Sequence, residues 1–348
     1  MARNMNHSLL TDAKKNKRDE FYTQLKDIES ELQYYSKHFY NKVVYCNCDD
    51  PRISNFFKYF SANFSRLGLK KLISACYKKQ NTDLFEMSDP EKAFYLECDN
   101  EEIDLSRIDK NIKYFKEDGD FRSVESIKLL KQSDIVVTNP PFSLFREYVA
   151  QLIKYKKKFL IIGNINAITY KEIFNLIKEN KAWLGHNLGR GISGFIVPEH
   201  YELYGTEVQI DDLGNKIISP NNCLWLTNLD TSKRHEDLML SKRYEGSEDL
   251  YPTYDNYDAI NVDKTKDIPM DYCGYMGVPI TFLHKLNPDQ FEMVKFRKGN
   301  DEKDLSIKGK CPYFRIIVKN KKLNSSIKGD SSFGKRNGIH KQTKRKHD

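Results

Sequence analysis

The chain has no glycine before Gly68, no Cys-x-x-Cys pair among its seven cysteines and no apolar run long enough to span a bilayer. Each absence removes a class of protein. Without early glycines, no glycine-rich phosphate loop can follow the first predicted strand, which excludes a dinucleotide-binding fingerprint. Cysteines that are scattered and odd in number (Cys46, Cys48, Cys76, Cys98, Cys223, Cys273, Cys311) suit neither a disulfide framework nor a standard zinc site, so no metal is expected. Cys46 and Cys48 end an apolar run and read as small side chains of a reduced protein. No apolar stretch approaches the ~20 residues of a membrane helix, and the polar opening Met1-Ala2-Arg3-Asn4 lacks a signal core, so the expected location is cytoplasmic, away from membranes.

What is present is a chain of 348 residues, 39% hydrophobic and 30% charged, enough for one large domain with an elaboration or for two modest ones. The formal net charge of +8 is concentrated at one end: residues 319 to 348 hold ten Lys or Arg against Asp330 and Asp348, which leaves the rest of the chain formally neutral. Arg3, Lys14, Lys15, Lys17 and Arg18 against Asp12 form a second basic cluster. Basic ends suit a polyanionic partner, because each phosphate neutralised releases counterions. A solubilising, disordered tail has the same composition.

From Asp27 the spacing Ile28, Leu32, Tyr35, Phe39 is helical and leads into the short apolar run 42–46, the length of a buried strand. Similar runs follow at 71–76, 134–138, 159–162 and 223–226. Between 134–138 and 159–162, Leu144, Phe145, Tyr148, Val149, Leu152 and Ile153 share a helical face, and after Ile162 Thr169-Tyr170-Lys171-Glu172 has the capping-box pattern that opens another helix through Ile173, Phe174 and Ile177. Strands alternating with helices predict a parallel α/β sheet. Past residue 229 helical periodicity fades, and 231–322, rich in Tyr, Asn, Asp, Lys and Pro, reads as an irregular recognition region with little regular core. The expected organisation is therefore a catalytic domain over 1–228, a target-recognition region over 229–322 and a basic, disordered tail over 323–348.

The chemistry is concentrated in Asp134-Ile135-Val136-Val137-Thr138-Asn139-Pro140-Pro141-Phe142. Two prolines end the strand, since neither has an N–H for the ladder and each holds the residue before it extended. Asn139 is thereby fixed at the carboxyl edge of the sheet, where open α/β sheets bind ligands. The exocyclic amine of adenine is a poor nucleophile because its lone pair is delocalised into the ring. The Asn139 side-chain oxygen and the Pro140 carbonyl can accept its two hydrogens, which favours a pyramidal nitrogen with its lone pair turned to a methyl donor. Pro140 and Pro141 hold those oxygens still, and the Phe142 ring offers a stacking face for an extruded base. The competing reading of Asn139 is a helix N-cap with a proline in the first turn.

These residues resemble the catalytic motif of amino-methyltransferases. The chain as far as Lys322 is similar to the EcoRI-type adenine-specific DNA methyltransferases, through 19–24 (DEFYTQ), 43–52 (VVYCNCDDPR), 119–123 (GDFRS), 189–191 (GRG), 193–200 (SGFIVPEH) and 220–226 (PNNCLWL). The resemblance implies a Rossmann-like, seven-stranded sheet that uses S-adenosylmethionine and modifies the central adenine of GAATTC in double-stranded DNA. It implies that Tyr22 and Thr23 cap the methionine end of the donor, that Cys48, Asp49, Asp50 and Pro51 form the turn after the first strand, and that Asp120 and Phe121 face the donor's adenine. The chain departs from the pattern twice. The turn over Asn47–Arg52 has no glycine, and the second strand ends Ala75-Cys76-Tyr77-Lys78 without an acid for the ribose, leaving Asp83 and Glu97 as substitutes. An RNA amino-methyltransferase or a protein glutamine methyltransferase would use a similar polar-Pro-Pro-aromatic motif, and a non-enzymatic nucleic-acid binder would explain the basic ends alone. Arg190, Arg234, Arg243 and Arg297 are candidate base readers. No obligate protein partner is expected, and the chain should act as a monomer.

Overall fold

The computed structural model describes residues 22–77, 92–99, 108–187, 192–197, 208–211, 214–218 and 223–323. Asp83, Arg190 and most of the basic tail fall outside them. The chain divides into two compact units, Met1–Arg234 and His235–Asp348.

The first unit opens with β1 (Tyr22–Thr23) and α1 (Leu25–Leu32), then β2 (Val43–Asn47), α2 (Asn55–Ala62), α3 (Phe64–Leu67) and β3 (Lys71–Cys76). It continues through β4 (Phe94–Cys98), α4 (Ile108–Asn111), β5 (Lys113–Tyr114), α5 (Val124–Gln132), β6 (Ile135–Thr138), α6 (Phe145–Lys154), β7 (Lys158–Asn164) and α7 (Lys171–Lys178). Short strands β8 (Trp183–Leu184), β9 (Phe195–Val197), β10 (Val208–Ile210) and β11 (Lys216–Ile218) precede β12 (Cys223–Thr227). The central sheet has the order β5-β4-β3-β2-β6-β7-β12-β8. Its core, β3-β2-β6-β7, is parallel, and its edges are antiparallel. The sheet thus has eight strands where the resemblance implies seven; the two-residue edge strands β5 and β8 carry no run long enough to be read from sequence.

All five residues of β2 and all four of β6 are buried, as expected of strands covered on both faces. Phe56, Phe57 and Phe60 of α2 pack in the same core as Trp225 of β12 and Leu72 of β3. Ile28, Leu32, Tyr35 and Phe39 are buried as their spacing requires, but the α-helix ends at Leu32 and the chain tightens into 3-10 turns over Gln33–His38. The capping box at Thr169 does not form. Thr169 belongs to a 3-10 segment and donates its hydroxyl to the Asn166 carbonyl, so α7 starts one residue after Tyr170 takes the cap position. A second, antiparallel sheet of order β1-β9-β11-β10 brings Tyr22 and Thr23 beside Ile196 and Phe195.

The second unit corrects the expectation of an irregular region. β13 (Ile260–Asn261), β14 (Tyr275–Pro279), β15 (Phe291–Phe296) and β16 (Arg315–Asn320) form a sheet of order β13-β14-β16-β15. It has its own core, in which Tyr254, Ala259, Leu305 and Ile317 pack together. Lys and Glu interleaved with the apolar residues of β15, and a register shift between Met293 and Lys295, hide the strand in the sequence.

Candidate active site

The strand order places the site. From β2 the chain passes through α2 and α3 to β3 on one side of it, whereas β6 lies on the other, so the direction of winding reverses between β2 and β6. At such a switch point the loops leaving the carboxyl ends diverge and open a crevice. The residues that follow β2 and β6 are the glycine-free turn and Asn139-Pro140-Pro141-Phe142.

The turn is made by Cys48, whose φ of 70° lies in the left-handed region. A non-glycine residue there is strained by roughly 1–2 kcal/mol, which is the physical consequence of the missing glycine. The next residue recovers the geometry: Asp49 N–H donates to the Ala75 carbonyl at 2.8 Å and the Ser74 hydroxyl donates to the Asp49 carbonyl at 2.7 Å, stitching the turn to β3. Ser54 caps α2 by accepting from the N–H groups of Phe56 and Phe57, and its own hydroxyl donates to Asp49 Oδ1 at 2.7 Å. Asp50 is locked by Arg52, through Nε at 3.0 Å and Nη2 at 2.7 Å, while the guanidinium stacks 4.4 Å over the Phe94 ring. Asp49 is the carboxylate left for chemistry. Burial pushes its carboxyl up to about 7, against the pull of the Thr138 and Ser54 hydrogen bonds and with a further push from Asp50.

Strand β6 is anchored at its start by the Asp134 carboxylate, which accepts from Val43 N–H at 2.8 Å, and at its end by Thr138, whose hydroxyl contacts the Asn47 carbonyl and, at 2.6 Å, Asp49 Oδ2. Asn139 is half-buried, Pro140 buried, and Pro141 leads into a 3-10 turn over Phe142–Leu144 that runs directly into α6. The strand before Asn139 and the turn after it remove the reading of Asn139 as a helix cap. Phe142 is half-buried, its ring edge-on to Phe195 at 6.2 Å. Phe195 pairs with Thr23 across β9 and β1, and Asn55 Nδ2 donates to the Thr23 carbonyl at 2.8 Å, so the segment 22–23 is tied to the start of α2 and, through Phe195, to Phe142.

Asp120 and Phe121 arrive from the β5–α5 loop. Gly119, at φ 75°, is required there, because a Cβ would sit 2.8 Å from Ala93 Cβ and 3.2 Å from the Cys76 carbonyl. Gln151 of α6 donates to the Phe121 carbonyl at 3.0 Å, and the Phe121 ring packs edge-on to Tyr148. Asp120 is paired with Arg122 through two 2.8 Å bonds, which hold its carboxyl below the usual range. Glu97 is taken out of contention for the ribose: its carboxylate accepts from Lys71 and Lys113 at 2.7 Å each.

All twelve site residues expected from sequence are described; the turn and Asn139–Phe142 meet at the switch point through Thr138, Asp120 lies near Cys48, and Tyr22–Thr23 are linked to them through Asn55 and Phe195. Sequence reading missed Thr138, Ser54 and Phe195, which join these pieces. The pattern Ser54-Asn55-Phe56-Phe57 is a legible helix start, whereas nothing local marks Thr138. Two candidate base readers are engaged within their own units: Arg234 stacks 3.7 Å over Trp183, and Arg297 bonds Asp304 twice at 2.7 Å. Among the described residues no His, Cys, Asp or Glu cluster could hold a metal ion, and no helix is long and apolar enough to cross a membrane. A cavity of about 360 Å³ lined by Lys42, Asp134 and Lys156–Lys158 lies at the amino edge of the sheet, away from this crevice.

Comparison with known proteins gives a consistent family. The family model described as adenine-specific methyltransferase EcoRI matches residues 9–321. The chain is 70% identical over 325 residues to the type II methyltransferase M.EcoRI of Escherichia coli, covering 93% of the chain and 99% of that protein. It is 38% identical over 327 residues to the type II methyltransferase M.MpnI of Mycoplasma pneumoniae, covering 88% and 96%. The corresponding figures for M.MgeORF184P of Mycoplasma genitalium are 37% over 334 residues, 89% and 98%. No solved structure matches it significantly.

Proposed function

The chain belongs to the EcoRI family of adenine-specific methyltransferases, and from that membership we propose that it moves a methyl group from S-adenosylmethionine to N6 of adenine in double-stranded DNA. The target is the central adenine of GAATTC, and the modification protects that site from a cognate type II restriction endonuclease. One observation carries the reading: the switch point sets the Asp49 turn and Asn139 side by side, tied through Thr138.

The crevice has the chemistry to hold the donor. The buried Thr23 Oγ1 has no hydrogen-bond partner among the described protein groups, and Asp49 presents a buried carboxylate that a positively charged ligand would satisfy. Thr23 and Tyr22 would hold the methionine end, Cys48–Pro51 the turn side, and Asp120 with Phe121 the adenine. The donor supplies a methyl group on a sulfonium, which already activates the leaving group and needs no phosphate cradle. Asn139 Oδ1 and the Pro140 carbonyl accept the hydrogens of the target amine and orient its lone pair, and the prolines keep both oxygens fixed. A strong general base is unnecessary, because the proton leaves to solvent once the nitrogen is cationic. Phe142, braced by Phe195, gives the extruded base a face to stack on. The second unit is assigned to target recognition. The protein works as a cytoplasmic monomer.

Plasmid treated with enzyme and donor, then challenged with sequence-specific nucleases, tests this directly. Cleavage at GAATTC should be blocked and cleavage at unrelated sites should not. Label transferred from donor to RNA or protein but not to DNA would move the substrate to another class.

A further inference from the structure

The Thr138 hydroxyl has one proton and two acceptors. Its Oγ1 reaches both the Asn47 carbonyl, at the end of β2, and Asp49 Oδ2, in the turn that follows. All three residues are buried. With Asp49 ionised, the single proton can serve only one of the two oxygens, and the other faces Oγ1 lone pair to lone pair. With Asp49 protonated the chain closes: the acid donates to Thr138, and Thr138 donates to Asn47.

We propose that Thr138 is a positioning residue through which the charge state of Asp49 is communicated to Asn139. Arrival of the positively charged donor drives the Asp49 proton to solvent. The Thr138 hydroxyl then turns from Asn47 to the carboxylate and ties the end of β6, one residue before Asn139, to the donor turn by a charge-assisted bond. This rests on the assignment of the Asp49 turn to the donor.

The surroundings fit a proton that leaves on demand. Besides Thr138, the Asp49 carboxylate accepts from Ser54 of the α2 cap, and Asp50 beside it is engaged by Arg52. Cys46 and Cys48 flank it, their thiols pushed up first by burial and then by Asp49. Tyr148 faces it from α6, and Cys76 and Asp120 lie next to Cys48. None of these supplies a formal positive charge to Asp49. Burial therefore dominates and holds the carboxyl near neutrality, at about 7.

The test is binding of S-adenosylmethionine to the full-length protein by calorimetry, from pH 6 to 8.5, in buffers of different ionisation enthalpy. The free protein holds the proton below about pH 7, so donor affinity should level off above that value and fall toward tenfold per pH unit below it, with proton release per donor bound rising from near none at pH 8.5 to close to one at pH 6. Thr138→Val removes a bond to Asp49 in both charge states, and the bond lost to the charged carboxylate is the stronger. The substitution should shift the midpoint upward and slow single-turnover methylation at saturating donor, and Thr138→Ser should restore both. An isosteric change that acts only on packing would leave midpoint and proton release at their wild-type values, and that result would overturn the proposal. Asp49→Asn covers the case of a Thr138 variant that does not fold: it should bind donor weakly and without pH dependence. Full-strength donor binding by Asp49→Asn would instead remove the turn from the donor site. Wild-type binding without proton release, with Asp49→Asn impaired, would sink the relay alone.

Discussion

At the scale of single residues, the chain does with strain and hydrogen bonds what related folds do with glycine. Cys48 adopts a left-handed φ in the turn after β2, and Asp49 is then held from both sides, by Ser74 at its carbonyl and by Ser54 and Thr138 at its carboxylate. Cys48→Gly should relieve the strain of roughly 1–2 kcal/mol and lose part of it to the greater freedom of the unfolded chain, leaving a protein between unchanged and about 1 kcal/mol more stable. Cys48→Val, branched at Cβ, should be destabilised by more than the cysteine's own strain. Urea midpoints of the three proteins read the order directly, and a Cys48→Gly protein less stable than wild type would show that the sulfur packs more than the turn strains. How such a residue escapes sequence reading is clear from Thr138. It stands at the end of an apolar run, and its two partners lie 91 and 89 residues away, so no local spacing announces it. Asn139, Pro140, Pro141 and Phe142 could be singled out because the argument for them needs only four consecutive residues.

At the scale of elements, legibility followed burial. The runs that became β2, β3, β6, β7 and β12 are continuous and apolar because the sheet covers them on both faces. Strands at the sheet margins, such as β5 with both residues exposed, carry no such run, and β15 of the second-unit sheet is masked by Glu292 and Lys295 between its apolar positions. Helix starts were less readable than helices. The capping pattern at Thr169 failed because the preceding segment forms its own 3-10 turns, while Ser54 caps α2 and also bonds Asp49. Ser54→Ala removes an N-cap, at a cost of about 1–2 kcal/mol in stability, and also one hydrogen bond to the Asp49 carboxylate. Its loss should push the Asp49 carboxyl further up, so the pH below which donor affinity declines should move upward together with the fall in stability. Ser54→Thr should preserve both. A stability loss with an unmoved pH dependence would confine Ser54 to capping.

At the scale of the molecule, the chain forms two compact units, and charge is distributed unevenly along it. Residues 323–348 are basic, and side chains that touch phosphates position a protein on DNA without reading bases. Deleting them should weaken binding about equally on GAATTC-containing and unrelated duplexes and flatten the salt dependence, while methylation at saturating DNA survives. An unchanged salt slope would make the segment a solubilising appendage. The central claim, that a switch-point crevice presents Asn139 to an adenine amine, is tested most directly by single-turnover transfer of labelled methyl from donor to a GAATTC duplex by wild type and Asn139→Ala. Donor and DNA binding are measured beside it, and the product is digested to nucleosides. The expected result is label in N6-methyladenine for the wild type, with near-normal binding but a transfer step slowed by the equivalent of roughly 3 kcal/mol or more in the variant, the scale of losing one preorganised polar group. Transfer by Asn139→Ala at near the wild-type rate would contradict it.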